Sequence, residues 1–480
     1  MFRNAFENSP SRATRPGLVL AAVAVVQFMV SLDLSVVNLG LPQIGAALGF
    51  SEVGLTWVIH AYALTFGGLL LLGGKLADRY GRRRVLLLGL AVFGLASLAG
   101  GFAEEPGHLV AARAVQGIGA AALAPAALSL LTSTFPSGKA RVRAFGVWSA
   151  VNAAGGALGV LIGGLLTEYA SWRWLMFVNV PMAVGALILA ARSVAADPPA
   201  ESRGRPDVLG AVLATAGMVL LVFGVVRTDR HAWTSSTTLI TLLIAVVLLA
   251  AFVYVEKSTT RDPLIRLGLF TNRSVVGANA FNLLLGAAMA SCFYFASLYL
   301  QRVLGTGPAK TGIQFLPFAL GVVLGAVLAI KFGYRAAPRT LLAVGGLLTA
   351  AGFAWFGLIS ADGSFLVDVL GPSIVTSVGF GLCLGPVVSV ATRGVAAHET
   401  GTASGLLVSS RQIGASLGLA ALGTAAHRRT GSAGTLNDGY ALGLTLGAVL
   451  LAGAVVVALA VLPRKSVAAP AAPSLVGEKR

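Results

Sequence analysis

Between two long apolar runs, the chain carries a short basic segment that reads Gly74-Lys75-Leu76-Ala77-Asp78-Arg79-Tyr80-Gly81-Arg82-Arg83-Arg84. Its five Lys and Arg side chains must stay in contact with water. The flanking runs, Leu55 to Leu72 and Val85 to Phe102, are each long enough to cross the hydrocarbon core of a bilayer. The segment is therefore predicted to be a loop between two membrane-spanning helices.

The composition of the whole chain also indicates a membrane protein. Of its 480 residues, 56% are hydrophobic and 11% are charged, against about 25% charged in soluble domains, and the mean hydropathy is +0.85. The net charge of +17 does not indicate nucleic-acid binding, because the basic residues lie between apolar runs and not together on one solvated domain. The two cysteines, Cys292 and Cys383, both fall in apolar runs, so neither a disulfide nor a metal site is expected.

Apolar runs of about 19 or more residues predict fourteen membrane spans. The first six are Leu18 to Leu41, Leu55 to Leu72, Val85 to Phe102, Leu109 to Leu131, Val142 to Leu166 and Trp174 to Ala191. Two follow a Pro-rich, charged stretch at 197–206, and these are Val208 to Val226 and Thr237 to Val255. The last six are Val275 to Leu300, Thr311 to Ile330, Leu341 to Ile359, Leu366 to Ala391, Ala403 to Ala426 and Leu442 to Leu462.

The order of these spans predicts an all-α membrane protein with four parts. They are an amino-terminal six-helix bundle at 1–191, a linker with two extra transmembrane helices at 192–272, a carboxy-terminal six-helix bundle at 273–462 and a cytoplasmic tail at 463–480. The first span is not expected to be a cleaved signal peptide, because it is too long and contains Asp33.

The distribution of basic residues predicts the orientation. With fourteen spans, 26 Lys and Arg residues lie on the side of the two termini and 7 on the other side. Loops rich in Lys and Arg face the cytoplasm. Both termini are therefore predicted to be cytoplasmic, in a multi-pass protein of the cell inner (plasma) membrane.

Several segments resemble those of one transporter family. They read Leu32-Asp33-Leu34-Ser35-Val36-Val37-Asn38-Leu39-Gly40-Leu41-Pro42, Arg113-Ala114-Val115-Gln116-Gly117-Ile118-Gly119-Ala120, Ser171-Trp172-Arg173-Trp174, Asn179-Val180-Pro181, Tyr299-Leu300-Gln301-Arg302-Val303-Leu304-Gly305 and Ser409-Ser410-Arg411-Gln412-Ile413-Gly414. With the basic segment after the second span, the chain resembles the major facilitator superfamily. Within it, the chain is similar to the fourteen-span drug:proton antiporters of the EmrB/QacA type.

The resemblance implies proton-driven export of hydrophobic or amphipathic small molecules such as antibiotics. Two six-helix bundles would rock about a central cavity, with lipid, substrate and protons as partners and with no cofactor, nucleic acid or nucleotide. One alternative is a dedicated exporter of a single endogenous metabolite or lipid-like compound. A more distant one is a non-transporting sensor or scaffold. An enzyme is not expected, because no catalytic or metal-ligand constellation lies in the spans and no nucleotide-binding loop occurs.

Asp33 is the predicted site of proton coupling. It is the only carboxylate deep within a predicted span, where a charged carboxylate costs on the order of 2.5 to 3.5 kcal/mol. Arg113 is its expected electrostatic partner, since a rise of 1.5 Å per residue places the two at roughly 12 and 6 Å below the outer ends of their spans. The alternatives are a permanent structural ion pair for Asp33 and an arginine that extends to the headgroups for Arg113.

Two further charged or titratable residues fall within spans. Arg411 is expected about 12 Å from the cytoplasmic side, where it would face the cavity or pack with Ala415 and Gly418 on one helix face. Two arginines against one aspartate disfavour a strongly cationic substrate. His60 in span two is a possible titrating group, although a hydrogen-bonded core histidine is the plainer reading.

The glycines of span five predict close helix packing. Gly155, Gly159 and Gly163 recur at intervals of four and form a smooth ridge. The antiporter pattern has Gly-Pro where this chain has Gly159-Val160, which leaves the direction of transport open.

The basic segment is also expected to act as a conformational latch. The resemblance implies this role for Gly74, Asp78, Arg79, Gly81 and Arg82. Asp78 could lie against the amino-terminus of span thirteen, where a carboxylate contributes about 0.3 to 1 kcal/mol.

Uncharged polar residues within spans are candidates for the substrate cavity, although such residues often bind neighbouring helices instead. Together with Arg411, the predicted substrate-binding residues are Gln27, Asn38, Gln116, Asn152, Asn279, Asn282 and Gln412.

Overall fold

The protein is described by a computed structural model that covers residues 16–463, apart from 136–137, 195–206, 229–230, 232, 259–262, 334, 396–398 and 432–433. The Pro-rich stretch at 197–206 and the predicted tail beyond residue 463 lie outside the described residues. Within these limits, all regular secondary structure is helical. The prediction of an all-α membrane protein is confirmed.

The first part of the chain forms the helices that cover the first six predicted spans. They are α1 (Pro16–Leu48), α2 (Glu52–Leu55), α3 (Trp57–Tyr80), α4 (Arg82–Gly101), α5 (Pro106–Thr134), α6 (Gly138–Tyr169), α7 (Trp174–Phe177) and α8 (Asn179–Ser193). The two extra spans form α9 (Val208–Arg227) and α10 (Ser236–Ser258).

The rest of the chain forms α11 (Arg273–Leu298), α12 (Pro308–Gln314), α13 (Leu316–Gly333), α14 (Pro338–Phe356), α15 (Gly371–Ala391), α16 (Thr400–Gly431) and α17 (Leu436–Ala460). A short 3-10 helix at Leu267–Thr271 precedes α11, and π-helical turns at Tyr299–Val303 and Phe365–Leu370 follow α11 and precede α15.

Among the described residues, thirteen helical segments are long and apolar enough to cross a membrane. The remaining predicted span, Ala403 to Ala426, lies on α16, which has 32 residues but a more polar sequence. Its polar side chains Ser409, Ser410 and Gln412 are buried against other helices. Protein contacts therefore stabilise this helix where lipid alone would not.

The basic segment is not the extended loop that its charge predicts. Helix α3 continues to Tyr80 and α4 begins at Arg82, so Gly81 alone joins them. Gly81 has φ +98°, a backbone conformation that residues other than glycine rarely adopt. The prediction of a loop was wrong because long basic side chains can reach water from the ends of helices whose backbone stays hydrogen-bonded.

The helices pack so that two halves meet along two seams. Helix α1 packs along α6 and α8, α3 along α5, and α11 along α16 and α17. One seam joins α3 to α16, where Gly67 lies against Gln412. The other joins α6 to α12, where Gly164 lies against the backbone of Pro308.

The distal end is the end at which α1 finishes, at Leu48, and the proximal end is the end at which α1 begins, at Pro16. Because successive long helices alternate in direction, α3 ends and α4 begins at the proximal end.

Candidate functional site

Asp33 lies at the centre of a buried polar cluster in the first half of the chain. The residue is 0% exposed, and its two carboxylate oxygens face donors from α5 and α8. Arg113 Nη1 donates to Asp33 Oδ2 at 2.7 Å, and Asn179 Nδ2 donates to Asp33 Oδ1 at 2.8 Å. A third donor, Gln116 Nε2, lies 3.4 Å from Oδ1. Each carboxylate oxygen of Asp33 therefore has a hydrogen-bond donor from a neighbouring helix.

Arg113 is held by three separate contacts besides the carboxylate. Its Nε donates to the Val58 carbonyl at 3.1 Å, and its Nη1 also donates to Gln116 Oε1 at 3.0 Å. Its guanidinium lies over the ring of Tyr62, 4.4 Å from the centroid. Such a planar, stacked and hydrogen-bonded position suits arginine and not lysine. The side chain stays inside the protein and does not extend to the membrane surface.

Gln116 connects this ion pair to α4. It is buried, its Oε1 accepts from Arg113, and its Nε2 donates to Ser97 Oγ at 2.5 Å. The sequence suggested Gln116 for substrate binding, but in this structure its amide is engaged in the Asp33 cluster.

Three members of the cluster were missed by the sequence reasoning. Asn179 lies in a segment that carried the family resemblance, yet nothing in that segment assigned it a partner. Ser97 and Tyr62 occupy ordinary apolar spans and gave no signal. Hydropathy locates a residue along its own span but does not indicate which neighbouring helix it faces.

The glycine ridge of α6 lies directly against α1 on both sides of Asp33. A methyl group at Gly155, Gly159 or Gly163 would come within 2.8, 2.9 and 2.6 Å of the carbonyl oxygens of Phe28, Leu32 and Val36, in that order. Helix α6 continues unbroken through Val160, where the antiporter pattern has proline. The absence of side chains on this ridge is what lets α1 and α6 approach so closely.

A second polar group on α1 lies within about two turns of Asp33 towards the proximal end. Gln27 Nε2 donates to Asn152 Oδ1 at 2.7 Å and to Ser31 Oγ at 3.0 Å, while Ser31 Oγ donates to Asn152 at 2.5 Å. Asn152 is exposed and Gln27 is half-buried. Of the predicted substrate-binding residues, these two form an accessible cluster.

The other predicted amides have structural partners. Asn38 Nδ2 donates to the Leu34 carbonyl at 3.1 Å, and Asn279 Nδ2 donates to the Val275 carbonyl at 2.8 Å, each within its own helix. Asn282 Nδ2 donates to the Leu407 carbonyl of α16 at 2.7 Å. Gln412 is buried against Gly67 across the seam. Of these four, the Asn282 amide joins two helices by a hydrogen bond, those of Asn38 and Asn279 bond within their own helices, and Gln412 packs in the seam between α3 and α16.

Arg411 and His60 lie apart from the Asp33 cluster. The guanidinium of Arg411 makes no hydrogen bond or ion pair with any residue that the structure describes, and the residue packs against Gly286 of α11. His60 is fully buried with its ring edge-on to Trp57 at 5.6 Å, and neither ring nitrogen has a partner within the described part of the chain. No hydrogen bond connects either residue to Asp33.

The predicted latch residues lie at the proximal end. Asp78 is exposed on the last turn of α3, and no hydrogen bond joins its carboxylate to the described residues. The Arg79 guanidinium lies 5.6 Å from the centre of the Tyr80 ring, and neighbouring Arg83 donates to the Ala191 carbonyl at 3.0 Å. The contact of Asp78 with the amino-terminus of α16 stays a prediction.

The halves are joined by polar contacts at the distal end. Glu52 Oε1 pairs with Arg302 Nη1 at 2.8 Å, and Glu52 Oε2 lies 3.3 Å from His427 Nδ1. Glu168 Oε2 accepts from the Ala309 amide at 2.7 Å. Gln301 Nε2 donates to the Leu39 carbonyl at 3.0 Å. Together they hold the distal end closed in this structure.

Comparisons with known proteins agree with this architecture. A family model described as Major Facilitator Superfamily matches residues 23–419. Cephamycin export protein CmcT of Amycolatopsis lactamdurans is 43% identical over 414 residues, which cover 86% of this chain and 85% of that protein. Puromycin resistance protein pur8 of Streptomyces alboniger is 40% identical over 403 residues, which cover 83% and 80%.

Solved structures show the same fold at much lower identity. Nucleoside transporter NupG has a TM-score of 0.67 and 13% identity, and the match covers 93% of this chain and 99% of that one. Peptide transporter POT in complex with sulfate has a TM-score of 0.66 and 17% identity, with 92% and 93% covered. At these identities the likeness concerns the fold alone.

Proposed function

The chain belongs to the Major Facilitator Superfamily, and from this we propose that it exports antibiotic-like small molecules across the cell membrane in exchange for protons. The substrate class is supported by relatives that include a cephamycin export protein, a puromycin resistance protein and a lincomycin resistance protein of Streptomyces lincolnensis. The observation that carries the proton coupling is the buried pair of Asp33 with Arg113.

The chemistry of that pair suits a proton carrier. Asp33 is sealed from water and balanced by one buried cation, so the ionised form persists only while Arg113 stays in contact. A conformational change that separates α1 from α5 would leave the carboxylate uncompensated and favour uptake of a proton. Return of Arg113 would favour its release. Coupling then follows from one contact that forms in one state and breaks in the other.

The sidedness that we propose for the exchange rests on the orientation that the basic residues indicate. We place the proximal end, with Lys75 to Arg84 and both termini, in the cytoplasm. The closed distal end then faces outside. In this state Asp33 is paired with Arg113, as expected after a proton has been released inward and before a drug is carried out.

The mechanical units of the cycle are proposed to be the two six-helix bundles at 1–191 and 273–462, with the linker helices at 192–272 between them. They would rock about a central cavity, to which the accessible pair of Gln27 and Asn152 would contribute polar groups. The seams between α3 and α16 and between α6 and α12 are the surfaces that must part. Gly74, Asp78, Arg79, Gly81 and Arg82 would latch the proximal end when it closes.

A dedicated exporter of one compound is the second candidate, and the name of the cephamycin export protein favours it. The Asp33 cluster would serve proton coupling equally well in a multidrug exporter and in a dedicated exporter. Only a substrate panel separates them.

The test is transport by purified protein in liposomes under an imposed pH gradient, with orientation controlled. Puromycin, lincomycin, a cephamycin and a fluorescent lipophilic dye are the probes, and the native chain is compared with Asp33→Asn. We expect gradient-driven transport that Asp33→Asn abolishes. Transport of several probes would support multidrug export, and transport of one would support the dedicated exporter. Gradient-driven transport that survives in Asp33→Asn would refute coupling at Asp33.

A further inference from the structure

Among the residues that the structure describes, Asn179 is the neutral side chain that donates to Asp33 at the shortest distance. Its Nδ2 lies 2.8 Å from Asp33 Oδ1, and the residue is 0% exposed at the first position of α8. Its own Oδ1 is buried, and no described residue donates to it. An amide with one end bonded and the other end unpartnered can rotate without breaking a second hydrogen bond.

The other partners of Asp33 cannot change roles in this way. Arg113 carries only donors, and its Nη1 and Nε are both engaged. Gln116 is fixed at both ends, by Arg113 at Oε1 and by Ser97 at Nε2. Among the described residues, Arg113 is the charged group that faces Asp33, and Tyr62, beneath the guanidinium, is a further titratable group that interacts with both.

Protonation of Asp33 reverses the hydrogen-bond requirement at Oδ1. The proton converts this oxygen from an acceptor into an O–H donor, which would then oppose the Nδ2–H donor of Asn179. Rotation of the amide by half a turn exchanges Nδ2 and Oδ1, so that Asn179 Oδ1 accepts from the new O–H group. The other end of the amide is unpartnered before and after, so the rotation adds no unsatisfied group.

We propose that Asn179 is a positioning residue of the proton site that donates to ionised Asp33 and, after rotating its amide, accepts from protonated Asp33. This inference rests on the proposed proton coupling at Asp33. Asn179 thus supplies a partner for both protonation states inside a dry cluster, where an unpaired carboxyl group of either form would be costly. It also explains why an amide, and not a second cation, completes the site.

The role can be tested without knowing the substrate. Infrared spectroscopy of the protein in lipid bilayers follows the carbonyl stretch of protonated carboxyl groups as pH is varied, and the signal lost in Asp33→Asn belongs to Asp33. The variant Asn179→Leu keeps the size of the side chain and removes both its donor and its acceptor. Asn179→Ser restores a hydroxyl group that can donate and accept.

We expect the midpoint of the Asp33 signal to move to higher pH by about one unit in Asn179→Leu, a tenfold change in proton affinity. The direction follows because a hydrogen bond to the charged form is about twice as strong as one to the neutral form, so its loss favours the proton. We also expect the carbonyl band of protonated Asp33 to move to higher frequency, because its O–H group loses its acceptor. Asn179→Ser should return both the pH midpoint and the carbonyl frequency of Asp33 towards the native values.

The matched control is Asn437→Leu. Asn437 is also a buried asparagine whose Nδ2 donates, here to the Ile359 carbonyl at 3.0 Å, and whose Oδ1 has no described partner. It lies at the start of α17, in the other half of the chain, and its loss should leave the Asp33 signal unchanged.

The outcomes separate this inference from the proposed function. If no titrating signal disappears in Asp33→Asn, Asp33 does not exchange protons and both proposals fail. If the signal disappears there but keeps its midpoint and frequency in Asn179→Leu, the role of Asn179 alone is refuted. An equal shift in Asn437→Leu would also refute it, since the effect would then reflect general loosening of the protein.

Discussion

Glu52 and Arg302 form an ion pair of 2.8 Å between the two halves of the protein at its distal end. Glu52 begins α2, while Arg302 lies on the π-helical turn after α11. The same carboxylate reaches His427 of α16 through its other oxygen. One acidic side chain therefore holds two elements of the opposite half, and separation of the distal ends must break both contacts.

We predict that Glu52→Gln increases opening of the distal end. The pair is partly solvated, with Glu52 41% exposed and Arg302 25% exposed, so its loss is worth about 0.2 to 1 kcal/mol. This corresponds to an increase of up to about fivefold in the population of the distal-open state. A cysteine introduced at Ser297, which is buried where α11 meets α1, would report the change through its rate of labelling by a membrane-impermeant maleimide.

The labelling experiment requires replacement of the native cysteines, Cys292 and Cys383, both of which are buried. Glu104→Gln is the control, because Glu104 is an exposed acid between α4 and α5 with no ion pair to a described residue. Equal labelling rates in Glu52→Gln and Glu104→Gln would show that the Glu52 contacts do not hold the distal end.

Arg113→Lys is predicted to lower both the stability of the protein and its transport activity, although lysine keeps the positive charge. Lysine cannot reproduce the Nε bond to the Val58 carbonyl or the stacking on Tyr62, so Asp33 would lose a fixed partner. We expect the free energy of unfolding to fall by about 1 to 2 kcal/mol. We also expect gradient-driven transport to fall, by roughly tenfold for each 1.4 kcal/mol by which the interaction between Asp33 and residue 113 is weakened. Thermal unfolding and liposome transport measure the two effects.

Arg335→Lys serves as the control for this substitution, since Arg335 is exposed and its side chain has no ion pair with a described residue. Complete removal of the cation in Arg113→Ala is the stronger test. Normal proton-driven transport by Arg113→Ala would contradict the coupling role of the ion pair.

Gly159→Ala is predicted to destabilise the protein. The added methyl group would meet the Leu32 carbonyl oxygen at 2.9 Å and its Cα at 3.1 Å, so α1 must move away from α6. Overpacking of this kind costs about 1 to 3 kcal/mol. Because Leu32 precedes Asp33, the shift should also reduce transport. Thermal unfolding of purified protein would show a lower midpoint.

The neighbouring Gly156 provides a matched control on the same helix. A methyl group there would meet nothing closer than Ser35 Oγ at 3.9 Å, and alanine favours a helix by up to about 1 kcal/mol over glycine. Gly156→Ala should therefore leave the unfolding midpoint unchanged or raise it. A lower midpoint in both variants would mean that helix contact at Gly159 is not the cause.

Much of the architecture was predictable because the length of each apolar run indicates directly whether that segment can cross the bilayer. The depth of Asp33 and Arg113 within their spans was enough to pair them, since residue counts convert to distance along a helix. The prediction that the basic segment is a loop was wrong, because its charges indicate only that its side chains reach water. The backbone of Lys75 to Tyr80 can remain helical while they do so.

The lateral contacts were not predictable in the same way. Asn282 was predicted as a cavity residue, but it donates to a carbonyl of α16, because a polar residue in a span satisfies whichever helix lies beside it. Asn179 and Ser97 reach the Asp33 cluster from α8 and α4. Which helices meet, and with which faces, depends on packing of the whole bundle and is not contained in any single span.

The inserted helix α9 lies across the seam of α3 and α16 and contacts both. Val222 and Val226 of α9 pack in one apolar cluster with Leu64 of α3 and Ala420 of α16. Apolar contact is not directional, so this cluster does not fix α9 in one register against α3 and α16. In this structure the inserted helix therefore covers one side of the seam with apolar side chains of the protein itself, and parting of α3 from α16 would expose or rearrange that surface.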